Sequence, residues 1–169
     1  MRALVIVLLL VTPTATLVVS CHLSAQTVAN LPAKPCSAAS PDQRYAVLCR
    51  ESNKEYVYEL LIRELQTGSE TFLERFMRGV SVVWAPDSRH VAITYWPVST
   101  DAITVVYSPQ GKAILDSLKT INRAFGHLPE LTKNDHIYYE ALSWRGPEIL
   151  RIKVWGHGEY NRNGFAPML

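Results

Sequence analysis

Apolar residues fill the first part of this chain almost without a break, then change rhythm. Within MRALVIVLLLVTPTATLVVSC, one basic residue, Arg2, precedes an aliphatic run from Ala3 to Val11. Beyond residue 40 the apolar positions come in short runs of period two, the spacing of half-buried strands. RYAVLCR reads as a strand entered through the turn Ser40-Pro41-Asp42-Gln43. In EYVYELLIREL, Tyr56, Tyr58, Leu60 and Ile62 fall on one face and Val57, Glu59, Leu61 and Arg63 on the other. A helix competes for this run, but the Tyr-Val-Tyr start and the Thr67-Gly68 turn into SETFLERF favour a hairpin. Val80, Val82 and Trp84 alternate, as do Val91, Ile93 and Tyr95. SVVWAPDSRHVAITYW therefore predicts a second hairpin, with His90 facing outward. DAITVVYSPQGK adds a strand and a Pro-Gln-Gly turn.

The period then changes once. KAILDSLKTINRAFG spaces Ile114, Leu115, Leu118, Ile121 and Phe125 as a helix does, predicting a helix over Lys112–Phe125 that stops at Gly126. HIYYEALSWRGPEILRIKVWGHG returns to strands around a turn at Arg145-Gly146-Pro147, and the Gly-rich tail from Gly156 predicts irregular chain. His22 to Ser40 lacks periodicity and holds Pro32 and Pro35, as a tether would. The expected organisation is a targeting segment over 1–20, a tether over 21–39 and one β domain over 40–169. That domain is mainly β, an antiparallel meander with one covering helix near 112–125.

Composition narrows the setting. The 169 residues carry a formal charge of +2 with acids and bases interspersed, and no Lys/Arg block supplies a nucleic-acid footprint. The N-terminal run has the layout of a secretory signal, expected as a helix. Val18-Val19-Ser20-Cys21 resembles a bacterial lipobox, which implies acylation of Cys21 and a membrane anchor outside the cytoplasm. Cleavage near Ser20 or Ala25 would instead release a soluble exported protein. An uncleaved segment would be a transmembrane anchor, for which Pro13 and the Thr/Ser residues make a poor span. Once Cys21 is acylated or removed, Cys36 and Cys49 remain, either as two thiols or as a disulfide, the state an oxidising compartment favours. Their spacing fits no zinc pattern.

Three places share one form: Ser40-Pro41-Asp42-Gln43-Arg44-Tyr45, Trp84-Ala85-Pro86-Asp87-Ser88-Arg89-His90, and more loosely Trp144-Arg145-Gly146-Pro147. The first two lie about 45 residues apart, the length of one four-stranded blade. They resemble the TolB-type repeat of β-propellers, whose signature is W-S-P-D-G-R-x-I-A-F; Gln43 and Ser88 stand where that signature has Gly. The resemblance implies propeller-blade-like sheets. The chain has length for about three, short of the four that a closed propeller needs, so it implies an incomplete propeller. The motif has a purely structural account, in which Pro presets the turn and Asp accepts from the backbone N–H groups ahead of it. The layout also resembles small exported bacterial proteins with a late H-x-Y…W…G-H-G segment.

Chemistry is sparsely signalled. No His lies in a metal-binding frame, no Gly-x-Ser-x-Gly or Ser-x-x-Lys signature occurs, and no Gly-rich loop opens a helix. No metal, cofactor or catalytic residue is expected. The loop Trp96-Pro97-Val98-Ser99-Thr100-Asp101 mixes an aromatic ring with hydroxyl and carboxylate groups, as binding loops do. Trp96, Ser99, Thr100 and Asp101, with Trp155 and His157 near the C-terminus, are the candidate binding residues. The expected function is non-enzymatic binding of an envelope protein partner or ligand. The alternative is an envelope hydrolase with its site near Asp101, His127 and His136.

Overall fold

Three proline corners shape the chain, and they are built alike. Gln43 N–H bonds to the Ser40 carbonyl, Ser88 N–H to Ala85 and Gly111 N–H to Ser108. Proline is second in each, where its fixed φ suits the turn. The fourth residue is left-handed: Gln43 at φ 59°, Ser88 at 61° and Gly111 at 81°. The two non-glycine residues thus occupy the conformation for which the propeller signature uses Gly.

The computed structural model describes residues 4–9, 29–31, 36–98, 101–125, 136–158 and 161–165. The strands are β1 (Leu4–Leu9), β2 (Ala29–Leu31), β3 (Cys36–Ala39), β4 (Tyr45–Glu51), β5 (Tyr58–Glu64), β6 (Glu70–Phe76), β7 (Val80–Trp84), β8 (Val91–Tyr95), β9 (Asp101–Tyr107) and β10 (Ala113–Asp116). Helix α1 (Ser117–Phe125) follows, then β11 (His136–Arg145), β12 (Ile149–Gly158) and β13 (Asn161–Phe165). The chain is mainly β, as its periodicity predicts.

The first layer is the antiparallel meander β3-β4-β5-β6. The second is β7-β8-β9-β10, with β2 beside β7. The third is the β11–β12 hairpin, with β1 and β13 both on β12; the β9–β11 pairing joins it to the second layer in one nine-stranded sheet. Every residue of β7 and β8 is buried, because a layer lies against each face. Val82, Ile93 and Val105 share one core cluster with Val47, Leu60 and Ile62 of the first layer. Val83, Ala92 and Val106 share another with Tyr139, Ile152 and Ile121. Tryptophan pins each layer to the one before it. Trp84 Nε1 donates to the Ala38 carbonyl at 3.0 Å, and Trp144 Nε1 to the Val83 carbonyl at 2.9 Å.

Some expectations are corrected. The helix begins at Ser117 rather than Lys112, since the Ser108–Gly111 corner folds Ala113–Asp116 back onto β9 as β10. The meander is not wholly antiparallel, for β11 joins β9 in parallel at Ile137↔Asp101 and Tyr138↔Ala102. Such a pairing needs a crossover, which β10 and α1 supply. His90 does not face outward; it is half-buried with its ring 6.0 Å from that of Trp144. The tail is not irregular, as β12 runs to Gly158 and β13 pairs with it. Two short strands, β2 and β3, lie within the segment expected as a tether. Of the expected signal, only Leu4–Leu9 is described, as a strand antiparallel to β12; the rest lies outside the described residues.

Where the parallel β9–β11 pairing ends, buried hydroxyls take over. Thr104 donates to the Tyr139 carbonyl at 2.7 Å, so in the 2.7 Å contact with Thr94 it is Thr94 that donates. Thr94 Oγ1 in turn accepts from Ala141 N–H at 3.0 Å. Ser117, at the start of α1, accepts from Thr104 N–H at 3.1 Å.

Candidate functional site

The Pro-Asp corners are structural. Asp87 accepts from Arg89 N–H at 3.0 Å, and Asp42 from Arg44 N–H at 3.1 Å and from the Ser40 hydroxyl at 2.6 Å. The corners meet where Asp42 N–H donates to Ser88 Oγ at 3.1 Å. Burial opposes the Asp42 charge, but bonds from Ser40, Arg44 N–H and Ser88, with the Arg44 guanidinium, hold its carboxyl below the usual value. A shallow hollow of about 340 Å³ lies between the corners, bordered by Arg44, Arg89, His90 and Gln110. Both carboxylates are already occupied with their own turns.

The loop after β8 is only partly described. Trp96 is tied to the β6–β7 connection, its carbonyl accepting from Met77 N–H at 3.2 Å and its N–H donating to Gly79 at 3.4 Å. Ser99 and Thr100 lie outside the described residues, as do Cys21 and His127. Asp101 opens β9 in register with Ile137. Parallel partners share a face and neighbours on a strand alternate, so Asp101 and His136 lie on opposite faces of the sheet. Burial, and then the Asp101 charge, raises the phenol pKa of Tyr139, two residues on from Ile137. Cys36 and Cys49 are directly opposed Cα partners across β3 and β4.

The third layer unites residues that the sequence pattern assigns to different sites. β11 and β12 pair His136 with His157, Tyr138 with Trp155 and Glu140 with Lys153, three alternate rungs. Tyr138 and Trp155 stack at 4.0 Å and 18°. Trp155 Nε1 donates to Glu140 Oε2 at 3.1 Å, and Lys153 Nζ lies 3.8 Å from the same oxygen. That ammonium also sits 5.1 Å above the Trp155 ring. The stack, the hydrogen bond, the ion pair and the cation–π contact fix this face in one arrangement. Trp155, Glu140 and Lys153 remain partly exposed. The side chain of His157 lies outside the described residues; its strand position does not. Glu140 and Lys153 are absent from the sequence-based candidates. The signal for them is the matched spacing of His-x-Tyr-x-Glu and Lys-x-Trp-x-His on either side of the Gly146-Pro147 turn.

Among the described residues, no three His, Cys, Asp or Glu side chains form a group that could hold a metal, and no helix is long and apolar enough to cross a membrane. No protein-family model, curated protein or solved structure matches the chain. Fold and site together define a class: a mainly-β protein of antiparallel layers with an aromatic and charged ladder on its last hairpin.

Proposed function

We propose that this chain is an exported bacterial envelope protein, anchored through an acylated Cys21, that binds a protein partner or ligand without catalysis. The ladder of Tyr138, Trp155, Glu140 and Lys153 carries this reading. It offers a half-exposed Trp held rigid by its neighbours, the kind of anchor around which binding energy concentrates. The layers are TolB-like repeat units in an incomplete propeller, supported by the shared corner geometry and by the two tryptophan bonds between layers. Cys36 and Cys49 form a disulfide, supported by their opposed positions. Closing a loop of this length is worth about 3 kcal/mol, so reductant lowers the melting temperature and Cys36→Ser abolishes that response. In the hydrolase alternative, Asp101 and His136 would have to act from opposite faces of the sheet.

Site-specific photocrosslinking in cells tests the binding reading. A crosslinker replacing Lys153 gives a discrete adduct that Trp155→Ala removes, while one replacing Val98 does not give it. Turnover of an ester, phosphate or peptide substrate that disappears in His136→Ala would overturn the reading in favour of a hydrolase. Loss of lipid labelling in Cys21→Ser checks the anchor.

A further inference from the structure

We propose that the outer edge of β12 at Ile149–Val154 receives an extended strand from an envelope partner, with aliphatic residues on its core side and an acidic residue opposite Arg151. The inference rests on the reading of residues 1–20 as a removed export signal and of the ladder as a binding face.

The chain itself shows what this edge accepts. Leu4–Leu9 lies along it as an antiparallel strand of 6 residues, from Leu4↔Val154 to Leu9↔Ile149. β13 takes only the next length of the same edge, at Gly156 and Gly158. Removing the signal therefore bares Ile149–Val154, where alternate residues turn their N–H and C=O groups outward with no strand to bond. The two faces of this edge differ. Leu150, Ile152 and Val154 are buried in the core shared with Tyr139 and Ala141, and their register partners are Leu8, Ile6 and Leu4. A replacement strand needs apolar residues at those positions to keep water from that core. On the ladder face, Val5 pairs with Lys153 and Val7 with Arg151. Arg151 is exposed, and Lys153 already meets Glu140. An acid opposite Arg151 makes a favourable cross-strand pair that Val7 does not. Two copies joined edge to edge with their cores aligned would instead bring these cations together, so the occupant is a different chain. The incoming strand lies beside Lys153, continuous with the ladder of Trp155 and Glu140. Strand addition of this kind takes affinity from main-chain bonds and specificity from alternate side chains.

The probe is a fluorescent peptide of Leu4–Leu9 carrying Val5→Glu and Val7→Glu. It is titrated against the lipidated chain purified in detergent, which begins at Cys21, and against unprocessed Cys21→Ser chain, identified by its mass. Saturable binding to the processed chain is expected. Binding to the unprocessed chain should be weaker by about tenfold or more, because Leu4–Leu9 competes from within the same molecule. Adding Ile6→Asp to the unprocessed chain should restore binding, since it puts a charge on the core side of the competing strand. Arg151→Glu in the processed chain should weaken the acidic peptide by about fivefold and favour a version with Val7→Lys. Hydrogen exchange should show the amides of Ile149–Val154 gaining protection when the peptide binds. Should the processed chain need a strand to fold, the acidic peptide restores its circular dichroism, and failure to do so overturns the proposal. No saturable binding, equal binding by processed and unprocessed chains, no change of charge preference in Arg151→Glu, or a mature chain that retains residues 4–9 overturns it as well. A crosslink at Lys153 that still depends on Trp155 while the peptide finds no edge leaves the binding reading standing without the strand.

Discussion

Replacing Thr104 by valine keeps the shape of the side chain and deletes one hydroxyl from the buried chain Ala141 N–H, Thr94, Thr104, Tyr139 carbonyl. Thr94 and Thr104 are both fully buried. The substitution removes the acceptor of the Thr94 proton and the donor to the Tyr139 carbonyl. A lost hydrogen bond costs about 0.5–1.5 kcal/mol net, and a buried hydroxyl left without a partner about 1–3, which together put Thr104→Val at about 2–4 kcal/mol. With a urea m-value of about 2 kcal/mol/M, the unfolding midpoint drops by about 1–2 M. Thr104→Ser is the control, because it keeps the hydroxyl and loses one methyl, about 1 kcal/mol. Equilibrium urea unfolding followed by tryptophan fluorescence should rank parent, then Ser, then Val. If Val matches the parent, or Ser proves worse than Val, methyl packing and not the hydroxyl chain holds β9 to β11. The double variant Thr94→Val with Thr104→Val should cost less than the two singles added, since their mutual bond is then lost only once.

Burial, then the charges of Glu74 and Asp116, pushes the Tyr95 phenol up to about 12, and burial raises Tyr107 as well. An unfolded tyrosine loses its proton near pH 10. Stability should therefore be intact below about pH 10 and fall as the pH rises toward 12, with tyrosinate absorbance of the folded protein delayed over the same window. Gly111→Ala would place a Cβ 2.6 Å from Thr71 Cγ2 at φ +81°, whereas Gly146 at φ +66° has open space. Gly146→Ala should cost about 1–2 kcal/mol from the left-handed backbone alone, and Gly111→Ala more, as thermal unfolding would show. Gln43→Gly should be neutral or stabilising by up to about 1 kcal/mol, because it relieves a left-handed residue. Ser88→Gly should destabilise, because it removes the Asp42–Ser88 bond; equal effects of the two would contradict that role of Ser88.

The corners and hairpins were legible because their causes are local: Pro presets the turn, Asp accepts from the N–H two residues on, and β4 to β9 follow a short apolar period. What failed depends on distant partners. Ala113–Asp116 fits a helical period and becomes a strand because the corner before it returns it to β9. His90 alternates outward within its own hairpin, but the third layer brings Trp144 against it. The ladder turns on one residue. Near the turn, Ser143 pairs with Arg151; beyond it, Ala141 pairs with Ile152, leaving Leu142 as the extra residue between them. Without that bulge His136 would face Gly158, and the aromatic rung would break onto opposite faces. Nothing in the local pattern marks Leu142 as the residue to skip.

The two tryptophan bonds have a direction. Each runs from a later layer to a carbonyl of the layer before it, from Trp84 to Ala38 and from Trp144 to Val83. The ends of the chain are therefore unequal. Cutting after α1 would leave the Trp84 bond whole, whereas cutting before β4 would strip Trp84 of its acceptor deep in the molecule. A chain synthesised from its N-terminus presents each acceptor before its donor arrives, so every new layer closes onto one already in place.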